Sequence, residues 1–124
     1  MKVDTARAAA DLLAGLFAGA EIEKLAVVHL DADAHVLAVR EHPGSLEDEI
    51  EIPIRAIISD ALELGSVALI LAHNHPSGDP QPSWDDVEAT RELASTAARL
   101  GIRLHDHLIF ADAEPCSLRG LGLL

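Results

Sequence analysis

His73-Asn74-His75-Pro76-Ser77-Gly78-Asp79-Pro80-Gln81-Pro82-Ser83-Trp84-Asp85-Asp86 separates two regular stretches of the chain. Before it runs Val67-Ala68-Leu69-Ile70-Leu71-Ala72, an unbroken apolar run of strand length that reads as a strand buried on both faces. After it the spacing becomes helical. Strand side chains alternate, so His73 and His75 leave the same face. The Pro/Gly/Asp segment then breaks regular structure and turns the chain. Ser83-x-x-Asp86 has the form of a helix start, which puts Asp86 in the first turn of the next helix. Each piece alone has an ordinary structural explanation. Together they place two imidazoles and a carboxylate at one strand end, where buried polar groups need partners and a metal supplies one for all. Two neutral imidazoles and one carboxylate with a fourth position open suit a catalytic zinc site rather than a closed structural one.

Working outward, 124 residues are enough for one domain with one core, taken here as residues 1–124. Apolar residues make up 49%, which places the chain among globular proteins. Nine basic residues stand against 21 acidic ones, a net charge of −12. Such a surface repels phosphate backbones, and one Trp with two Phe gives few stacking platforms, so direct nucleic-acid binding is disfavoured. Cys116 is the only cysteine, which excludes an internal disulfide and any cysteine-rich zinc knot. No apolar leader and no run of membrane-spanning length is present, so the expectation is a cytoplasmic protein with no membrane partner.

Residues 5–19 read as a helix with Ala9, Leu12, Leu13, Leu16 and Phe17 on one stripe, which covers a sheet or, in the sharper reading, a second copy in a homodimer. Leu25–Leu30 and His35–Glu41 read as a hairpin turning at Asp31-Ala32-Asp33-Ala34. Glu47, Asp48, Glu49 and Glu51 form a solvated acidic run, and Ile50-Glu51-Ile52 alternates like a short edge strand. Pro53 opens a helix over Ile54–Leu64 that Gly65 stops. A helix from Ser83 to about Leu100 and a last strand over Ile102–Phe110 complete the pattern. The fold class is therefore α/β (α+β), a mixed β-sheet flanked by helices, with the ligand site at a strand end.

These residues resemble a known family. His73-x-His75-Pro76, six residues, Ser83, two residues and Asp86 is the spacing of JAB/MPN metallohydrolases (the JAMM motif), and the segment is similar to the RadC branch nearly letter for letter. Ala61-Leu62-Glu63-Leu64, Asp106-His107-Leu108-Ile109 and the Gly122-Leu123-Leu124 ending agree with it, so the resemblance covers roughly residues 25–124. It implies the cytidine-deaminase-like JAB/MPN fold and a Zn2+ ion held by His73, His75 and Asp86. It further implies hydrolysis of peptide or isopeptide bonds in a protein or peptide substrate by a metal-activated water. Ser83 would steady the oxyanion, and Asp106 and His107 would support the ligands from behind, while strand alternation turns Asn74 away from the imidazoles and leaves it an indirect support at most. Many RadC proteins carry a helix-hairpin-helix segment before this domain. Here a single helix, within residues 1–20, precedes it.

The family also needs a glutamate from an earlier strand as general base. Counting back from Arg55 without gaps puts that position on Arg40, and the neighbouring Glu41 becomes the expected base if a one-residue shift or bulge aims it inward. A Glu41 that is only a solvated strand-end charge would leave a catalytically inactive adaptor, associated with DNA repair through its resemblance to RadC. Two histidines and a carboxylate also form the facial triad of iron(II) oxygenases, although the spacing here is the hydrolase one. A zinc deaminase pattern fails, since Arg119 stands where the second cysteine after Pro115-Cys116 would be.

Overall fold

The computed structural model describes residues 1–44, 51–111 and 114–124. Among the described residues, three helices, α1 (Ala6–Phe17), α2 (Ile54–Leu64) and α3 (Trp84–Arg99), accompany five strands, β1 (Lys24–Leu30), β2 (Val36–Pro43), β3 (Ala68–Asn74), β4 (Arg103–Phe110) and β5 (Cys116–Ser117). The strands form one mixed sheet in the order β2-β1-β3-β4-β5, with only β3 and β4 parallel. This is the expected α+β architecture.

The two apolar runs became the two central strands, because only a strand flanked on both sides and covered on both faces buries every residue. All of β3 is buried. Its side chains divide by parity. Leu69 and Leu71 join Leu25 and Val27 of β1 against α2 and α3, while Ile70 and Ala72 join Ala26 and Val28 against α1. The sheet thus separates two cores. Helix starts and stops follow local chemistry: the Thr5 hydroxyl accepts from the Ala8 amide at α1, and Gly65 ends α2 at φ +71°.

Two expectations changed. Glu51 and Ile52 lie outside any strand, with Ile52 buried in the core beneath α2, and residue 50 lies outside the described residues. The acidic residues 47–49 lie outside them as well. A short fifth strand, not foreseen, pairs Cys116 and Ser117 with Ile109 and Leu108. It is held by Asp106, which accepts from the Ser117 hydroxyl at 2.5 Å and from the Arg119 amide at 3.1 Å. Arg119 in turn donates to the carbonyls of His105 and Leu104, covering the edge that β5 leaves unpaired.

His29 lies wholly buried in β1, its Nδ1 2.9 Å from the Ser66 hydroxyl and its Nε2 without a partner among the described residues. Burial, stronger here than the attraction of Asp60, lowers its pKa below the ordinary 6.5. The unfolded chain therefore takes up a proton that the folded one refuses, and stability is lost as pH falls through about 6.5. We expect the denaturation midpoint of metal-free protein to drop between pH 7 and pH 5.5. His29→Leu should remove at most about 1.4 kcal/mol per pH unit of that slope, measured by denaturant titration across the range.

Candidate metal centre

β3 ends at the motif, and its parity decides what meets there. His73 pairs with Leu25 and so shares the face of Leu71, the side on which α3 packs. After the Asn74 end of the strand, the His75 amide still bonds the Phe110 carbonyl at 2.8 Å, which holds His75 against β4. Gly78 adopts φ +86°, a turn that a side chain would strain, and brings the Asp79 carbonyl within 2.7 Å of His75 Nδ1. Ser83 then caps α3 in a reciprocal box. Its hydroxyl accepts from the Asp86 amide at 3.0 Å, and its own amide donates to Asp86 Oδ2 at 3.1 Å. That box aims the carboxylate back at the strand end. Asp86 Oδ2 lies 3.6 Å from His73 Nε2 and 3.5 Å from His75 Nε2.

The tautomers follow from the network. The Thr90 hydroxyl donates to the Asp86 carbonyl at 2.6 Å, so toward His107 Nδ1, 2.7 Å away, it acts as acceptor. His107 therefore carries its hydrogen on Nδ1; complete burial keeps its pKa well below the usual value and its Nε2 bare. That bare nitrogen accepts from His73 Nδ1 at 2.6 Å, leaving His73 Nε2 bare in turn. His75 spends its Nδ1 hydrogen on Asp79, so its Nε2 is bare too. The two ring nitrogens face each other at 2.9 Å with a carboxylate beside both. Neither can donate to the other. Only a shared proton or a cation makes the arrangement favourable.

A tetrahedral ion bound at about 2.0–2.1 Å needs its donor atoms about 3.3 Å apart, and the observed 2.9, 3.5 and 3.6 Å bracket that value. The donor set fits. The charges agree as well: burial disfavours ionisation of Asp86, but contact with His73 and His75 outweighs it and holds the carboxyl well below its usual range. Contact with Asp86 raises His75 despite burial, whereas burial lowers His73.

Of the residues expected here, His73, His75, Asp86, Ser83 and His107 come together. Glu41 does not. It pairs with Ala26, which turns it to the α1 face, opposite to His73, and it lies half exposed with an ion pair to Lys24 at 3.5 Å. Asp106 is also on the α1 face, occupied with the C-terminal segment. Asn74 points away from the rings, its Oδ1 accepting from the Lys24 amide at 2.8 Å and its Nδ2 donating to the Ile22 carbonyl at 3.0 Å. Trp84 is exposed at the start of α3.

Two residues were missed. Thr90 sits one helical turn after Asp86 and fixes the whole tautomer chain. Glu23 precedes β1, is 2% exposed, and brings Oε1 to 3.7 Å from His73 Nε2. One donor atom from each of Glu23, His73 and His75 lies within 4.8 Å of the others. Glu23 Oε1 and Asp86 Oδ2 lie almost equally far from His73 Nε2, at 3.7 and 3.6 Å, so two buried carboxylates stand beside the ring pair.

The profile of the RadC-like JAB domain family matches residues 3–123. The chain belongs to that family. It is 40% identical over 104 residues to a UPF0758 protein of Ruegeria pomeroyi, an alignment covering 84% of this chain and 46% of that protein. It is also 40% identical over 102 residues to a UPF0758 protein of Rhodobacter capsulatus, covering 82% and 48%. The chain thus spans about half the length of the curated relatives it matches. Among the described residues, no helix is long and apolar enough to cross a membrane.

The tautomer chain predicts that His107 governs how well the site takes up a metal ion. His107→Leu removes the acceptor that keeps His73 Nδ1 protonated, and we expect zinc binding to weaken about 10- to 100-fold in chelator competition. Asp106→Asn, on the other face, should leave it unchanged. Because a proton on His75 Nε2 competes for the same lone pair, affinity should fall as pH is lowered, by about tenfold per unit once His75 is protonated.

Proposed function

We propose that this RadC-like JAB domain is a zinc-dependent hydrolase of amide bonds acting on a protein or peptide substrate. The observation that carries the reading is the convergence of two bare ring nitrogens with the Asp86 carboxylate, with a second buried carboxylate, Glu23, beside them. When bound, zinc there supplies Lewis-acid polarisation of a carbonyl and lowers the pKa of a coordinated water toward ~7.

The remaining work falls to the chain. Glu23 is the general base: its carboxylate takes a proton from the attacking water and returns it to the leaving amine. It supplies the acid whose absence motivated the adaptor reading. Ser83 spends a lone pair on the Asp86 amide and keeps its hydroxyl hydrogen, which is the donor for a developing oxyanion. His107 and Thr90 hold the His73 ring in one tautomer, and the Asp79 carbonyl does the same for His75. Substrate recognition uses extended backbone, since β2 is an open sheet edge whose Pro43 end lies beside the start of β1, next to Glu23. The exposed ring of Trp84 flanks the Ser83–Asp86 turn and suits an apolar side chain of the substrate.

Zinc-loaded protein incubated with a proteome-derived peptide library should generate new N-termini detectable by mass spectrometry. Glu23→Gln should lower the cleavage rate by about 100-fold or more while zinc stays bound. Glu41→Gln should cleave at the unaltered rate. Equal cleavage by the Glu23 variant would remove Glu23 from the mechanism, and no cleavage by the zinc-loaded parent would remove the hydrolase reading.

A further inference from the structure

Glu23 belongs to no regular element. It occupies the residue between the bend at Ile22 and the first residue of β1, where a chain has no ladder of its own to fix a side chain. Yet its carboxylate must be held beside the rings to within a fraction of an ångström if it is to move a proton. What holds it comes from two neighbouring strands.

The first support is Asn74, the middle residue of His73-Asn74-His75. Alternation along β3 sends its side chain away from the imidazoles, and the carboxamide bridges the peptide groups on either side of Glu23. Its Oδ1 accepts from the amide of Lys24, one residue after Glu23, and its Nδ2 donates to the carbonyl of Ile22, one residue before. Donor and acceptor are both used, so the amide has one orientation. The peptide units on either side of Glu23 are thereby tied to the strand that carries both histidines. Asn74 is itself 5% exposed, so neither bond is traded readily for water.

The second support is Gly44. Lys24 pairs with Pro43, and continuing that register sets Gly44 opposite Glu23. A Cβ added to Gly44 would overlap the Glu23 carbonyl oxygen and stand 2.6 Å from its carbon and 3.2 Å from the Lys24 nitrogen. These are backbone atoms and cannot rotate aside. Glycine is required here for close approach of two chains rather than for an unusual dihedral.

From this we infer that Asn74 and Gly44 form a clamp on the backbone of residues 22–24 whose task is to position the Glu23 carboxylate at the metal centre. The inference rests on the functional reading of Glu23, but it concerns residues that touch neither metal nor reacting atoms. They are positioning residues. The clamp also explains why an asparagine sits between the two histidines: a side chain leaving the opposite face of β3 reaches the neighbouring strand β1 at the point where Glu23 enters it. Serine or alanine would be too short to bridge both peptide groups.

The test uses cobalt(II) in place of zinc, because the visible bands of cobalt respond to the geometry around it and need no substrate. Asn74→Ala, Asn74→Asp, Gly44→Ala and Glu23→Gln are compared with the parent, and hydrogen exchange at the Lys24 amide is followed in each. Asn74→Asp keeps the acceptor for Lys24 but sets an oxygen against the Ile22 carbonyl. We expect the Asn74 and Gly44 variants to shift the cobalt bands in the same direction as Glu23→Gln. Asn74→Ala should also speed Lys24 exchange by about tenfold or more. Zinc affinity should stay within about threefold of the parent, since His73, His75 and Asp86 are untouched. Should Gly44→Ala not fold, the two Asn74 variants decide the matter. Unchanged bands in the Asn74 variants would overturn the clamp, and so would a Lys24 amide that exchanges at the parent rate in Asn74→Ala. Unchanged bands in Glu23→Gln would overturn it too, by showing that there is no Glu23 contact to position. Failure of the hydrolase reading is separate, since it shows only as absent peptide cleavage.

Discussion

Two imidazole nitrogens that can only accept, held 2.9 Å apart with a carboxylate beside both, are the constraint to which the rest of the structure answers. Left without a proton or an ion between them they repel, and the fold holds them together regardless. It does so by spending each ring's other nitrogen elsewhere. A carbonyl in a glycine turn takes one hydrogen, and a buried histidine backed by a threonine takes the other. A hydrogen-bond direction set at Thr90, on the second turn of α3, thus reaches the ligand atom of β3 through two rings. The sheet supplies rigidity and α3 supplies both the carboxylate and the start of that relay, so the geometry of the ring pair is a property of the β3–α3–β4 unit and not of the motif alone.

One irregularity makes the relay work. β4 pairs with β3 in register up to Leu104 opposite Leu69, and then Asp106, not His105, stands opposite Ile70. The extra residue at His105 reverses which face the following side chains take. It turns His107 toward His73 and Asp106 toward the C-terminal segment. Without it the two would exchange faces, leaving a carboxylate behind His73 and no acceptor for Ser117 or the Arg119 amide. A bulge that costs one ladder position therefore assigns Asp106 to holding the chain end and His107 to orienting a ligand.

Much of this was legible in the chain. The apolar run before His73, the helix stop at Gly65 and the capping spacing Ser83-x-x-Asp86 are local signals, and each led to the element the structure holds, with His73, His75 and Asp86 brought together at the strand end. What escaped is what local spacing cannot encode. The face of Glu41 depends on its partner Ala26, and the register of a hairpin is not written in either strand alone. The count back from Arg55 led into β2, although the strand paired with His73 is β1. Glu23 carries no signal of its own in Glu21-Ile22-Glu23-Lys24, where it is one charge among three. The available signal was geometric: a second acid can reach His73 from a strand paired with β3, and the antiparallel pairing of Leu25 with His73 puts the beginning of β1 there. Thr90 was missed for a similar reason, since its importance lies in the direction of one hydroxyl hydrogen.

The division of labour between strands follows from those misses. The ligands come from β3 and α3, neighbours in sequence whose relation a short rigid loop can fix. Glu23, the base in the proposed reaction, lies 50 positions before His73 and is brought to it by strand pairing, with the Asn74 carboxamide bridging the peptide groups on either side. The burial of Glu23 and the close approach of Gly44 then make sense together. Two chains pressed backbone to backbone leave residue 23 little freedom, which is how a side chain just outside a strand acquires a fixed position.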